Sequence, residues 1–479
     1  MTTNARPPRA RPGRTSTRVP SGFLSRRTRL GPIMEVLWHR SHTNLLHQSF
    51  QNVLNHVWYS GPGRERQAER RMALAETTAR PDFAVAEVSR FDASGQPLHV
   101  WAHPEGRLWT AAFGEADRRE GLSLRSVLGA LDAPWHDLPE GMPGPWFGAA
   151  AFDGRAWEGF SPLRFTLPAL LLWSDGARHF AAAFGDGAHR RLEETRRKLE
   201  GAILSSGPDI TPARRLRYPA ERERWNALVS RALTAIAAGT LEKVVVARAV
   251  DVEAGGRIDP AAVLARLERR HPACRAFLVR GERGATFVGA TPEILCRIDG
   301  DLVRTEALAG SADPASGVAL LSSRKDLREH RWVVDHLVGA LSGIARSLQR
   351  QPEPGLRNLV NVVHLHTPIS ARLAPGRGVA DVAASLHPTP AVLGVPSAAA
   401  RRFLVEHEGL DRGLYTGLVG WVGPRSSELA VALRCALIRG NRARLFVGAG
   451  IVEGSSAERE WLETELKARA LLDALGAEP

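Results

Sequence analysis

The sequence predicts a mixed α+β protein, and three observations carry that prediction. Short apolar runs alternate with Gly, Pro and Asp turns along most of the chain, the pattern of strands. Amphipathic stretches with helical spacing interrupt them. Hydrophobic content is 44% and charged content 24%, ordinary for a soluble globular protein, which excludes a disordered or fibrous chain. At about 100–200 residues per domain, 479 residues allow two or three domains, or one large domain built on long sheets.

Residues 1–33 hold Arg6, Arg9, Arg11, Arg14, Arg18, Arg26, Arg27 and Arg29 and no acid. With little apolar periodicity, this segment is expected to be a disordered basic tail. It also has the composition of an organellar transit peptide, and Met34 offers an alternative start. The tail supplies +8 of the net charge of +13, so the body is only mildly basic. The Ser25-Arg26-Arg27 pattern lacks the apolar stretch of an export signal. The expected location is therefore the cytoplasm, or an organellar matrix if the tail is a genuine transit peptide.

Residues 34–206 are expected to form the N-terminal part of the fold. Within them, 145–153 and 163–173 read as strands and 189–204 as a helix with Lys198 on its polar face. The turn-rich stretch 205–218, with two prolines, is the expected boundary. Beyond it come a helix at 221–238 closed by Gly239, a strand at 243–250 and a helix at 260–270. Strands follow at 276–280, 286–289, 294–298 and 302–305, then a long helix at 324–350. Leu445-Phe446-Val447 reads as a strand leading into a Gly448-Ala449-Gly450 turn, and Ser455 with Glu458 has capping-box spacing. No run approaches the ~18–20 apolar residues of a membrane span.

The basic residues are distributed unevenly. Only four of the 64 are lysines: Lys198, Lys243, Lys325 and Lys467. A chain that uses arginine wherever charge suffices keeps lysine where a proton must be lost, because arginine effectively cannot lose one. Against this stands simple survival on a solvated face. The three cysteines, Cys274, Cys296 and Cys435, have no CxxC spacing, which excludes a disulfide scaffold and a cysteine zinc module. His39, His42, His47 and His56 have no partner acids, and His330 and His336 lack the HExxH spacing.

Glu460, Glu463 and Lys467 fall at i, i+3 and i+7 of one helix and share a face. Paired carboxylates suit a hard cation such as Mg²⁺; a salt-bridged solvent face is the bland alternative. Glu329, on the helix 324–350, could complete such a site with Glu463. Lys243 opens a strand and could act as a base. Glu293, in Thr291-Pro292-Glu293, is either a half-buried acid or a solvated turn carboxylate. Arg434 lies in the apolar run Val431–Ile438 and needs a partner or a ligand carboxylate.

Taken in order, these segments resemble the chorismate-utilising enzymes. The motifs are Lys243–Arg248 (KVVVAR), Gly289–Glu293 (GATPE), Glu306–Ser311 (EALAGS), Lys325–His330 (KDLREH), Leu386–Val392 (LHPTPAV), Tyr415–Trp421 (YTGLVGW), Leu433–Cys435, Gly448–Gly450, and Glu460–Thr464 with Lys467. The match covers roughly 216–475, the expected chorismate-binding catalytic region. The resemblance implies two large antiparallel sheets packed face to face, with peripheral helices, in a single large domain. It implies Mg²⁺ held by Glu329 and Glu463, with Glu460 nearby, on the ring carboxylate of chorismate. It implies substrate contacts at Gly310, His387, Gly417, Arg434, Gly448 and Lys467. Lys243 would activate water and Glu293 would protonate the departing ring hydroxyl, the isomerase chemistry of isochorismate synthases.

The residues also bear on alternatives. Aminodeoxychorismate synthases carry a lysine where this chain has Leu308-Ala309-Gly310-Ser311, and no glutamine-hydrolysing motif is visible, so no amidotransferase subunit is expected. Salicylate synthase, which also expels pyruvate, is the second reading. A nucleic-acid-binding protein using the basic tail is the reading from another class; the body carries no recognised nucleic-acid motif. A monomer that contacts neither nucleic acid nor membrane is expected. The resemblance leaves menaquinone, a siderophore or salicylate as the destination of the product.

Overall fold

The computed structural model describes residues 83–88, 96–131, 138–201, 212–360 and 362–477. The basic tail, the four histidines between 39 and 56, and residues 205–211 of the expected 205–218 boundary lie outside them. No helix among the described residues is long and apolar enough to cross a membrane.

The described chain forms two large antiparallel sheets. The first has twelve strands. Along its edge-to-edge path run Phe83–Val88, His179–Phe184, Leu170–Ser174, Leu108–Phe113, His99–His103, Arg275–Arg280, Thr286–Thr291, Cys435–Arg439, Arg442–Val452, Lys243–Ala254 and Gly394–Val395. Ala213–Arg215 pairs onto Lys243–Ala254. The second has ten strands: Ala345–Arg350, Val363–Leu373, Leu302–Ala312, Ile294–Asp299, Ser426–Val431, Leu418–Val422, Trp146–Ala150, Leu163–Leu167 and Asp117–Glu120, with Gly355–Asn358 on Val363–Leu373.

The N-terminal part and the catalytic region interleave in both sheets. His99–His103 pairs with Arg275–Arg280, and Trp146–Ala150 pairs with Leu418–Val422. The main core lies between the sheets. Trp101, Phe277, Phe287 and Phe446 come from the first; Phe147, Phe165, Trp421 and Leu429 come from the second. Full burial of such side chains stabilises by about 1.5–3 kcal/mol each. Helices Pro260–Arg270 and Ala457–Leu475 cover the outside of the first sheet through Val263, Leu267, Leu471 and Leu472. Helix Glu221–Ala237 covers its Lys243 end through Trp225 and Val229, and Gly239 follows it at φ 72°. Val333, Val334 and Leu337 of helix Arg324–Ser342 join the core on the side of the second sheet.

Four expectations need correction. The run 163–173 is two strands, Leu163–Leu167 and Leu170–Ser174, in different sheets. Pro168 separates them, since it has no N–H to continue a ladder. The expected helix 324–350 ends at Ser342, with Gly343 as its cap; Ala345–Arg350 is an edge strand on Val363–Leu373. The Gly448-Ala449-Gly450 segment is not a turn, because Arg442–Val452 continues through it in register with Lys243–Glu253. The last helix is capped by Ser456, whose hydroxyl accepts from Arg459 N; Ser455 Oγ instead accepts from Val452 N.

Candidate active site

The site forms where the chain crosses between the two sheets. Thr286–Thr291 belongs to the first sheet and Ile294–Asp299 to the second, so Pro292 and Glu293 span the crossing. Ser426–Val431 and Cys435–Arg439 make the reverse crossing, with Arg434 in the link. The two crossings are laced together. Val431 N donates to Glu293 O at 3.0 Å, Thr291 Oγ1 donates to Val431 O at 2.6 Å, and Ala290 N donates to Arg434 O at 3.1 Å. Glu293 N in turn donates to Thr291 Oγ1 at 3.2 Å. Glu293 is thus a buried carboxyl, not a solvated turn acid. Arg434 sits outside the strands, at φ 47°, where an L-residue is uncommon. Its side chain reaches the cavity and meets Cys274 Sγ at 3.9 Å.

A cavity of about 140 Å³ opens at these crossings. Its cations are Lys243, Lys325, Lys467 and Arg434, and its carboxyl groups are Glu293, Asp326, Glu329, Glu460 and Glu463. Each lysine holds one acid. Lys243 Nζ is 2.7 Å from Glu329, Lys325 Nζ is 3.1 Å from Glu460, and Lys467 Nζ is 2.6 Å from Glu463. Lys467 Nζ also donates to Gly448 O at 3.0 Å. Lys198 stands on an exposed helix face away from this group.

The glycines make room for these pairs. A Cβ on Gly450 would lie 2.7 Å from Glu329 Oε1 and 3.0 Å from Lys243 Cε. A Cβ on Gly448 would lie 2.8 Å from both the Tyr415 hydroxyl and Val246 O. At Gly310, φ is 72° and a Cβ would lie 3.2 Å from Asp326 Cβ.

Burial and neighbouring charge set the protonation states. Burial pushes the Glu293 carboxyl up to about 7, with Glu306 adding to it and Lys243 and Lys467 opposing. Burial also works on Glu329, but the Lys243, Lys325 and Lys467 charges outweigh it and hold that carboxyl below its usual range. Glu460 is raised by burial and by the Glu463 charge, against Lys325. Asp326 is raised by burial, with Glu329 and Glu463 adding to it.

Glu329, Glu460 and Glu463 offer hard oxygen donors in one cavity, and the Glu463 charge is felt at Glu460. That donor set fits a hard divalent cation. Among the described residues, no three acidic, His or Cys groups already converge as a cation cage.

Lys243, Glu293, Gly310, Glu329, Arg434, Gly448, Glu460, Glu463 and Lys467 all line the cavity. His387 and Gly417 do not. His387 follows helix Val379–Leu386, with neither ring nitrogen hydrogen-bonded; burial, then Arg401 and His336, push it down to about 3. Gly417 is a packing glycine, because a Cβ there would lie 2.1 Å from Ala150 O.

Lys325, Asp326, His364 and Tyr415 line the cavity although the motif reading gave them no role. Lysine scarcity did point to Lys325. His364 Nδ1 lies 3.1 Å from Gly310 O, and burial, then Arg434 and Lys467, push its imidazole down to about 3, so it is neutral. Its signal was weak, one histidine among 16.

A family model described as "Chorismate binding enzyme" matches residues 136–476. The salicylate biosynthesis isochorismate synthase of Pseudomonas aeruginosa is 36% identical over 361 residues, 69% of this chain and 74% of that protein. Isochorismate synthase MenF of Bacillus subtilis is 32% identical over 423 residues, 79% of this chain and 88% of that one. The structure of MenF, the menaquinone-specific isochorismate synthase from Escherichia coli, matches with TM-score 0.70 and 30% identity, covering 84% of this chain and 96% of that one. Anthranilate synthase component I from Streptococcus pneumoniae shares the fold, with TM-score 0.64 at 19% identity over 85% of this chain and 95% of that one. The chain therefore belongs to the chorismate-binding enzymes.

Proposed function

We propose that this enzyme is an isochorismate synthase, an isomerase that moves a hydroxyl around the ring of chorismate. One observation carries the reading. A lysine and a carboxyl that is half-protonated near neutral pH line one cavity, Lys243 and Glu293. Water must lose a proton as its oxygen bonds to one ring carbon. The hydroxyl on another carbon must gain a proton to leave as water, and the ring double bonds shift between them. A base and an acid placed separately can serve both ends.

In this reading Lys243 takes the proton from water and Glu293 gives one to the departing hydroxyl. The Lys243 Nζ contact to Glu329, at 2.7 Å, fixes where the amine stands in the cavity. Arg434 and Lys467 bind the enolpyruvyl carboxylate, helped by the backbone around Gly448. Glu329 and Glu463, with Glu460 beside them, are the residues to hold Mg²⁺. Bound there, the ion would neutralise and anchor the ring carboxylate.

The support is the cavity chemistry together with relatives named isochorismate synthases. The test is product analysis. Purified chain with chorismate and Mg²⁺ is expected to give isochorismate, and chelation with EDTA to stop the reaction. Failure to form isochorismate with Mg²⁺ present would overturn the reading. Pyruvate release in the same assay would mark a salicylate synthase instead.

A further inference from the structure

A second cleft, of about 520 Å³, opens beside the catalytic cavity. Its polar lining is dominated by arginine: Arg275, Arg297, Arg304, Arg350 and Arg357. Among the described residues, Glu306 is the one carboxyl group that lines it. That acid is already engaged by Arg357 and by His366 Nε2 at 2.8 Å. Arg275 is held by Glu428 at 3.0 Å. Among the described residues, three arginines of the cleft remain without an acid within ion-pair distance. Arg350 donates only to the backbone carbonyls of Gln351 and Pro352.

Arg297 and Arg304 are the strongest observation. They are direct cross-strand partners between Ile294–Asp299 and Leu302–Ala312. Both are exposed, and among the described residues neither side chain has an ionic partner. Directly opposed residues on an antiparallel pair have Cβ atoms about 4.5–5.5 Å apart, and like charges there repel. On its other side Arg297 faces Glu428 across the strand Ser426–Val431, but that carboxylate is already held by Arg275. The surrounding charge is also felt at His103, which burial, then Arg275, with Arg297 and Arg357 adding and Glu428 opposing, pushes down to about 4.

An anion between the two guanidinium forks would turn the repulsion into two charge-assisted contacts. Guanidinium matches carboxylate geometry bidentately. Pro368, which is exposed, adds an apolar surface to the same cleft, with the buried Ile294 and Ile369 behind it. We propose that this cleft is a second ligand site, distinct from the catalytic cavity, for a small dicarboxylate with an apolar body.

The site adjoins the catalytic machinery through the chain itself. Ile294 follows Glu293, and the strand Leu302–Ala312 runs from Arg304 in the cleft to Leu308 and Gly310 in the cavity. The proposal does not depend on which reaction the cavity performs.

The test is binding of phthalate, a flat aromatic dicarboxylate, to the full chain at low ionic strength by titration calorimetry. Inorganic phosphate is titrated in parallel. Saturable phthalate binding with Kd below about 1 mM is expected. A chain carrying both Arg297→Gln and Arg304→Gln is expected to bind at least about tenfold more weakly. Both side chains are exposed, so its thermal midpoint should match or exceed that of the unaltered chain. Arg350→Gln alone should weaken binding less. Arg434→Gln, in the catalytic cavity, should leave it unchanged. No saturable binding, or equal binding to the double variant, would overturn the site. Loss of binding in Arg434→Gln instead would place the probe in the catalytic cavity and also overturn it. Phosphate binding more tightly than phthalate would overturn the dicarboxylate assignment.

Discussion

Lys243 Nζ and Glu329 Oε1 stand 2.7 Å apart, one on a strand of the first sheet and the other on a helix packed beside the second. The contact joins the two sides of the sandwich at the cavity. Lys325 with Glu460 and Lys467 with Glu463 repeat the pattern, so each cavity lysine is matched to its own acid. Among the described residues, Arg434 has only a thiol as polar partner, at 3.9 Å. It is therefore the cation left to meet a ligand carboxylate, while the lysines are shared between acid and ligand.

Replacing Lys243 by arginine separates charge from basicity. Arginine keeps the positive charge opposite Glu329 but cannot give up its proton. Lys243→Arg is expected to lower kcat at least about 10²-fold. KM for chorismate should change far less, because the residue is assigned to water and not to the substrate carboxylates. Steady-state kinetics with chorismate check this. An arginine enzyme with near-normal kcat would remove lysine from the role of base.

The acid makes a prediction about pH. Glu293 must carry its proton to give it to the departing hydroxyl, and burial places its carboxyl at about 7. Below that value the group is mostly protonated and competent. Above it the competent fraction falls about tenfold per pH unit. The rate should therefore decline on the alkaline side of neutrality, and the residual rate of Glu293→Gln should lack that limb. A flat profile from pH 6 to 9 in the unaltered enzyme would exclude Glu293 as the proton donor.

These residues also mark how far the sequence could be read. The lysines were legible because scarcity is a property of composition, and three of the four line one cavity. The shared helix face of Glu460, Glu463 and Lys467 was legible because helical spacing is local. The sheet crossings were not. Nothing within 163–173 states that Leu163–Leu167 pairs with Trp146–Ala150 while Leu170–Ser174 pairs with Leu108–Phe113. Ala345–Arg350 followed a helix and was read with it, because its strand partner begins beyond Asn361. The apolar run around Arg434 hides a link between two strands for the same reason. An apolar run does not disclose where the chain leaves one sheet for the other.

A stability prediction comes from Glu268, far from any assigned chemistry. It is buried on helix Pro260–Arg270, where one oxygen accepts from the Trp109 indole and the other has no partner. Burial pushes its carboxyl up to about 7, against that hydrogen bond. Between the ordinary glutamate value of 4.5 and about 7, the folded chain therefore holds a proton that the unfolded chain has released. Stability falls as pH rises through that window and the loss is complete above it, to an upper bound on the order of 3 kcal/mol. Glu268→Gln keeps an acceptor for Trp109 and cannot titrate. Urea unfolding at pH 5, 6, 7 and 8 should show a shallower decline for the variant than for the unaltered chain. The slope is the readout, because the amide changes the absolute stability in its own way. Parallel curves would show that Glu268 does not titrate in this window.

The two glycines of the Arg442–Val452 strand should respond differently to alanine. At Gly450 the new Cβ meets the ends of two long side chains, Glu329 Oε1 at 2.7 Å and Lys243 Cε at 3.0 Å. Those groups can swing away, so the fold absorbs the methyl while the Lys243–Glu329 pair is displaced. At Gly448 the Cβ meets Val246 O at 2.8 Å, a backbone atom of the paired strand, together with the buried Tyr415 hydroxyl. Neither can move without shifting the sheet. Gly450→Ala is therefore expected to lose about tenfold or more in kcat, since an ångström of misplacement can cost that much, with thermal stability little changed. Gly448→Ala should cost about 1–3 kcal/mol of stability, the range for overpacking a filled interior. Thermal unfolding and kinetics on both variants read the contrast. A Gly450→Ala enzyme that kept full activity would show that the cavity tolerates a shifted Lys243–Glu329 pair, which the proposed base does not allow.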